Sequence, residues 1–291
     1  LGDVYKRQAL DIAKNSAKLN NIVNFETSEN ETCRFFSLFS KRGNRGSITD
    51  IDPFGSPTRY FDCAIRATMH NGLLSITATD LQVLHGLANK ACQRKYYGIP
   101  IKTEYANEIA IRLILGCLDS VAGRLDTQIQ PQFVENDMHY YRIYAKILTK
   151  KEQDSNIGYI SHCFQCGNRV TEKNQIENCS ECGNKMNFAG PLWIGSIFDE
   201  EFIKKMKQHV QKFVVEKKCE KILDKSILES RLPPTYFTLD EIASMMKTAP
   251  LKLEKMVKKI KEIGYNASVT SLNPNGFRTN CSVKEIKRFF D

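Results

Sequence analysis

No apolar run in this chain of 291 residues approaches the ~20 residues that a membrane-spanning helix needs, so no membrane partner is expected. No secretion signal is read at the start, and the expected compartment is the cytoplasm. The ten cysteines are therefore not expected to form a disulfide framework. Tryptophan is nearly absent, with Trp193 alone, and no internal repeat appears beyond two short cysteine motifs. What is present is ordinary for a globular protein: 42% hydrophobic and 26% charged residues, on a chain long enough for two domains with cores of their own. The opening Leu-Gly-Asp-Val-Tyr-Lys-Arg-Gln fits neither the helix expected after it nor a targeting pattern, and residues 1–8 are expected to be an artefactual or unrelated segment. The net charge of +9 is uneven, since residues 201–291 hold 19 Lys+Arg against 11 Asp+Glu. An excess concentrated on one unit favours a polyanionic partner.

Hydrophobic spacing predicts a helix over 9–21, a short strand over 22–25, a helix or strand over 32–40, and a strand ending at Asp52. A helix over 58–69, a buried strand over 72–79, a long amphipathic helix over 103–124 and a strand over 140–148 follow. Strands alternating with helices argue for an α/β fold with a mostly parallel, helix-covered sheet. Ligands of such sheets bind at the carboxyl ends of the strands, where Asp52 and the run Thr77-Ala78-Thr79-Asp80 would lie. Residues 199–232 read as a Lys-rich helical connector. Beyond it, Thr238 caps a helix over 239–247, with Glu241 at the third position as in a capping box. A second helix over 251–263 ends at Gly264. Two strands flank the turn Asn273-Pro274-Asn275-Gly276, and Ser282 caps a last helix. That order resembles a winged-helix module.

The densest chemistry lies in Asp52-Pro53-Phe54-Gly55-Ser56-Pro57. A carboxylate, a proline and an aromatic ring at a strand end suit a flat ring carrying an exocyclic amine. The carboxylate accepts from the amine, the proline stiffens the turn and leaves carbonyls free, and the phenyl ring offers a stacking face. Methyltransferases acting on base amino groups carry motifs of this kind. The plain alternative is a strand-to-loop turn whose Asp caps the next helix.

Cys163-Phe164-Gln165-Cys166-Gly167 and Cys179-Ser180-Glu181-Cys182-Gly183 form two knuckles with twelve residues between Cys166 and Cys179. Two thiolates two residues apart bite one ion from a tight turn, and two such pairs predict a closed, structural Zn²⁺ site. His162 adjoins this set but is not needed to complete it.

Together these segments resemble the tRNA (guanine-N2-)-dimethyltransferase family. The resemblance runs through Asp50–Pro57, Ile76–Asp80, Cys92–Tyr96, Asn107-Glu108 with Arg112, and His139–Arg142. It continues past the knuckles into Gly190-Pro191-Leu192-Trp193 and Asn273–Thr279. It implies a Rossmann-like class I methyltransferase domain, here partial and without its front strands, over 9–157. A four-cysteine zinc module over 158–195 and a basic, tRNA-binding, winged-helix-like α+β domain over 196–291 would follow. It further implies S-adenosyl-L-methionine as methyl donor and Asp52, Pro53 and Phe54 as the residues that take the guanine amine. Glu31 and Thr32 would lie on the adenine side of the cofactor, Glu31 standing where the family's Asp is usual. Asn107 stands where a His is usual. The family's glycine-rich cofactor loop is not found in this sequence, which is expected to be a fragment lacking that loop; Asp3 near the expected ribose acid is read as coincidence.

Two other readings share these residues: an amino-methyltransferase acting on DNA adenine, and a non-catalytic zinc and winged-helix RNA-binding protein on a degenerate methyltransferase domain. For single residues the alternatives are equally plain. Thr77, Thr79 and Asp80 either line the cleft or end a strand. Arg94, Lys95 and Arg112 either meet phosphate or sit in ion pairs. Tyr140, Tyr141 and Tyr144 fit a strand core, and Trp193 an anchor for the cysteine module. Lys204, Lys205, Lys207, Lys212, Lys217 and Lys218 either track tRNA backbone or are solvated.

Overall fold

The computed structural model describes residues 2–41, 43–150 and 155–290, with side chains from residue 8 onward. Four strands form the main sheet: β1 (Gly46–Ile51), β2 (Thr68–Ala78), β3 (Gln128–Asn136) and β4 (Tyr141–Leu148), in the order β1-β2-β4-β3. Only β1 and β2 are parallel; β4 runs against both β2 and β3. The expected mostly parallel sheet is therefore mixed. The cause is local: Asp137 N donates to Tyr140 O at 2.9 Å, closing a tight turn that makes β3 and β4 a hairpin, and hairpins are antiparallel.

Helix α1 (Gly2–Leu19) precedes α2 (Thr32–Lys41). The backbone of residues 2–8 continues the helix expected from 9, and no strand forms at 22–25. Leu1 and the side chain of Asp3 lie outside the described residues. The stretch expected as one helix over 58–69 is a short 3₁₀ turn at Thr58–Tyr60 followed by α3 (Phe61–Ala67), since β2 already begins at Thr68. Cys33 and Cys63 are joined by a disulfide, a single bond where no disulfide framework was expected. Their spacing in sequence says nothing of α2 lying across α3, which is what brings the sulfurs together.

After β2 come α4 (Leu81–Leu84), α5 (Asn89–Tyr96) and α6 (Ala106–Gly123). Helix α6 is the centre of the molecule. Ile109, Leu113, Ile114 and Leu118 are fully buried, because α6 packs on the main sheet, on α3 and on a second sheet at once. A helix covered on all sides is apolar on most of its faces, and the charges α6 does bury, Glu108 and Arg112, are paired with each other. That second sheet is antiparallel, β6-β5-β7, from β5 (Ile157–His162), β6 (Arg169–Glu172) and β7 (Asn187–Trp193). Gly116 of α6 is required by contact: a Cβ there would stand 2.9 Å from Leu192 Cα. Trp193 is 4% exposed in the core shared with α6, the anchoring position its sequence context predicts.

The remainder comprises α7 (Glu200–Val210), α8 (Lys217–Glu229), β8 (Phe237–Thr238), α9 (Leu239–Met246), α10 (Leu253–Glu262), β9 (Ala267–Val269), β10 (Gly276–Thr279) and α11 (Val283–Lys287). The predicted caps form: Thr238 accepts from Glu241 N and Ser282 from Glu285 N. A further one, not predicted, is Asp199, which accepts from Phe202 N. Gly264 ends α10 with φ +91°, a conformation that favours glycine. The capping box is only half made, since the Glu241 carboxylate pairs instead with Arg169 at 2.5 Å.

Candidate active site and metal centre

Asp52, Pro53 and Phe54 follow the last residue of β1, at the carboxyl edge of the parallel pair. The loop is pinned to the end of β2 by a reciprocal pair of bonds: Gly55 N donates to Thr79 Oγ1 at 2.7 Å, and Thr79 N to Gly55 O at 3.1 Å. Gly55, at φ +82°, makes the turn. Thr79 thus holds the loop in place. Among the described residues the Asp52 carboxylate accepts no hydrogen bond, and neither do the Asp52 and Pro53 carbonyls. The Phe54 ring is fully exposed. A rigid loop presents an open carboxylate, open carbonyls and a bare ring face side by side.

Behind this loop the neighbouring acids are already engaged. Arg142 donates to both oxygens of Asp50, at 2.9 and 3.0 Å, and to Thr77 Oγ1 at 2.6 Å. Tyr96 and Lys95 donate to Asp80 at 2.6 and 3.1 Å. Asp80 neither caps α4 nor stands open. Lys95 is in an ion pair, as is Arg112, which is 2% exposed and lies 2.8 Å from Glu108. Arg112 cannot meet phosphate; Arg94 is exposed.

Glu31 and Thr32 stand at the start of α2. Arg34 N donates to Glu31 Oε2 at 2.9 Å, so one carboxylate oxygen caps that helix. Thr32 lines a surface cleft of about 350 Å³ with Ser28, Asn30, Phe35 and Phe39. The Cys33–Cys63 bond ties this end of α2 to α3, the helix that follows the Asp52 loop.

The four knuckle cysteines converge. Their sulfurs all lie within 4.8 Å of one another, with Cys163–Cys182 and Cys166–Cys179 at 3.5 Å. A tetrahedron of Zn–S bonds of ~2.3 Å puts sulfurs ~3.8 Å apart, so this donor set fits one such ion. The knuckles are near copies. Cys163 N bonds Asn168 O and Cys179 N bonds Asn184 O, both at 2.8 Å. Gly167 and Gly183 turn each at φ +81° and +72°. Asn168 and Asn184 amides donate to Cys179 and Cys182 sulfurs at 3.5 and 3.3 Å, which favours thiolate. His162 is turned away, with Nδ1 3.1 Å from the Tyr105 hydroxyl. Lys287 of α11 donates to Cys166 O at 2.8 Å. Arg169 of β6 lies against the rings of Tyr105 and Phe237 and pairs with Glu241. The module therefore fastens to both neighbouring parts of the chain.

Two further features escaped sequence reasoning. Arg278 of β10, 2% exposed, donates to Glu108 of α6 at 2.9 Å and to Glu229 of α8 at 3.0 Å. Burial pushes Glu108 up, but the guanidiniums of Arg278 and Arg112 outweigh it and hold the carboxyl down at about 2. The second is a groove of about 660 Å³ on the same sheet edge as Asp52. Its floor is a closed hydrogen-bond chain: the Tyr141 hydroxyl meets His85 and donates to Asn107 Oδ1 at 2.8 Å, and Asn107 Nδ2 donates to Leu272 O at 3.3 Å. One wall is α8, with Lys218, Lys221 and Lys225; the rim carries Met138 and Pro274. Of the connector lysines singled out above, Lys204, Lys207 and Lys218 are in ion pairs. Lys221 and Lys225 were not singled out, although 218, 221 and 225 share one helical face.

Against known proteins, a model of the family described as N2,N2-dimethylguanosine tRNA methyltransferase matches residues 2–290. The tRNA (guanine(26)-N(2))-dimethyltransferase of Methanobrevibacter smithii is 33% identical over 96% of this chain and 74% of its own length. The Aquifex aeolicus protein named tRNA (guanine(26)-N(2)/guanine(27)-N(2))-dimethyltransferase is 31% identical over 97% of this chain and 73% of its own. Trm1 from Pyrococcus horikoshii, solved in complex with S-adenosyl-L-methionine, superposes with a TM-score of 0.77 at 25% identity, covering 92% of this chain and 76% of that one. With its family model matched from residue 2 to residue 290, this chain belongs to the N2,N2-dimethylguanosine tRNA methyltransferase family.

Proposed function

We propose that this chain methylates the exocyclic amine of guanosine 26 in tRNA, with Asp52, Pro53 and Phe54 as the residues that receive the base. The observation that carries it is the pinned Asp52 loop, whose carboxylate and ring have no other occupation. The guanine amine is a poor nucleophile because its lone pair is delocalised into the ring. Asp52 and the carbonyl beside Pro53 accept its two N–H bonds and draw the nitrogen toward tetrahedral geometry, which frees that pair. Phe54 stacks on the base once it leaves the helix. The carboxylate is also the base within reach of the proton that the nitrogen sheds. S-adenosyl-L-methionine, when bound, supplies the electrophilic methyl group. The cleft at the start of α2 fits its nucleoside end: Thr32, Asn30 and Ser28 bring polar groups and Phe35 a ring face, with Glu31, whose Oε2 caps α2, next to Thr32 in the chain. Holding nitrogen and methyl in line then supplies much of the rate.

Cys163, Cys166, Cys179 and Cys182 would hold one Zn²⁺ with no position left for a substrate, a structural ion. tRNA is the expected partner of the basic residues 201–291. The DNA reading has no feature of its own in its favour.

The test is mass spectrometry of nucleosides from tRNA incubated with S-adenosyl-L-methionine. Asp52→Ala should lower methylguanosine formation by roughly 100-fold or more, with tRNA affinity unchanged. Activity within a few-fold of wild type would remove Asp52 from the mechanism.

A further inference from the structure

We infer that the groove beside the Asp52 loop is a second nucleotide subsite, which grips the strand flanking the target guanosine without reading its sequence. The inference rests on the tRNA reading above and adds to it a place for a neighbouring nucleotide.

The groove lies on the right edge. Tyr141 of its floor is paired with Ala78, and Ala78 directly precedes Thr79, the residue that holds the Asp52 loop. Leu81 extends the lining from there. A strand entering at Asp52 therefore passes the groove within a residue or two of β2.

Its chemistry suits one ligand class. Among the residues lining the groove with Lys218, Lys221 and Lys225 there is one carboxylate, Asp137, 3.4 Å from Lys218, which also feels Glu135 and Glu216. Lys221 and Lys225 have no carboxylate partner among the described residues, leaving two uncommitted cations one helical turn apart. Phosphate oxygens of a backbone answer such a pair. The floor, by contrast, offers a base little to read. The Tyr141 hydroxyl and the Asn107 amide are spent on His85, Leu272 and each other. Asn136 Nδ2 is likewise spent on Leu272 O at 3.2 Å. What remains exposed is apolar: Met138, 80% accessible, with Leu81 and Pro274. A cationic wall over a self-satisfied, apolar floor holds any base by its face and any backbone by its charge. Extruding a guanosine carries an unstacking cost, and a grip on its neighbour adds to the stacking that Phe54 offers in offsetting it.

The experiment compares wild type with the double variant Lys221→Ala/Lys225→Ala. The slope of log Kd for tRNA against log salt should fall by about 1.5, as expected for two lost phosphate contacts, and KM for tRNA should rise about tenfold. S-adenosyl-L-methionine binding should not change. In parallel, a photo-crosslinking residue at Met138 is irradiated with bound tRNA and the adduct mapped by primer extension; it should fall within about two nucleotides of guanosine 26. An unchanged slope and KM, or an adduct elsewhere in the tRNA, overturns the subsite. Binding and crosslinking need no methyl transfer. A wild-type chain that binds tRNA but transfers no methyl group sinks the parent reading alone, and these two readouts still decide the groove.

Discussion

Replacing Arg278 by Met should destabilise the fold more than almost any other single change, because this side chain closes a charge network between three segments far apart in sequence. Arg278 is 2% exposed and bonds Glu108 of α6, Glu229 of α8 and the carbonyl of Pro233. Without it Glu108 keeps Arg112 at 2.8 Å and Thr235 N at 2.9 Å. Glu229 keeps only uncharged donors, Thr270 Oγ1, Ser271 N and Ser271 Oγ, at 2.6 to 2.7 Å. One buried carboxylate is then left without a cation, at a cost of about 3–5 kcal/mol. In a chain of this size that lowers the melting temperature by roughly 10 °C. The double variant Arg278→Met/Glu229→Gln removes the orphaned charge and should recover most of the loss, since a neutral replacement of a buried network is often tolerated. Calorimetry or thermal denaturation followed by circular dichroism reads both. The acid side gives an independent check. Glu108 is held at about 2, below its ordinary 4.5, so its contribution is complete above pH 4.5 and is lost as pH falls toward 2. That contribution is about 3 kcal/mol in wild type, and the acid limb should flatten in Arg278→Met. A single variant melting within a degree or so of wild type, or a double variant no better than the single, would refute the network.

Other outcomes follow from the remaining contacts. One zinc per chain should be found by atomic spectroscopy, and Cys166→Ser or a strong chelator should remove it with loss of near-ultraviolet dichroism, since the knuckle carbonyl and Arg169 tie the module to its neighbours. Thr79→Val should reduce methyl transfer roughly tenfold with little effect on melting temperature, because it removes one of the two bonds that pin the Asp52 loop at Gly55 and leaves the core intact. Without reductant, alkylation of the folded chain should leave Cys33 and Cys63 unmodified while exposed Cys219 reacts; labelling of Cys33 would show that the bond is open.

The parts legible in the sequence were those fixed by short-range chemistry. Cys-x-x-Cys-Gly spells a metal knuckle because one turn aims both sulfurs, and Thr238, Ser282 and Gly264 spell helix ends because caps are local. The Asp52 motif was legible for the same reason: carboxylate, ring and turn lie within four residues. Contacts between distant segments were not. Arg112 read equally well as a phosphate ligand or an ion-pair partner until α6 was found at the centre of the molecule. Cys33 and Cys63 gave no sign of each other. The direction of β4 turned on a short loop, which hydrophobic spacing does not encode.

Helix α8 unites the features that sequence reasoning missed. Its inner side carries Leu223, Ser226 and Glu229, all buried, while Lys218, Lys221 and Lys225 line the groove. Glu229 fixes the end of the helix through Arg278, and that bond therefore also fixes how far the lysines stand from Tyr141 and Met138. Stability and RNA grip share one mechanical element. Arg278→Met should accordingly weaken tRNA binding at temperatures where the fold is still intact, although Arg278 itself is buried and is not part of the groove. The double variant that restores stability through Glu229→Gln leaves the helix end without its ionic tether. Recovery of melting temperature without recovery of tRNA affinity is the signature that separates a positioned lysine wall from a merely basic one.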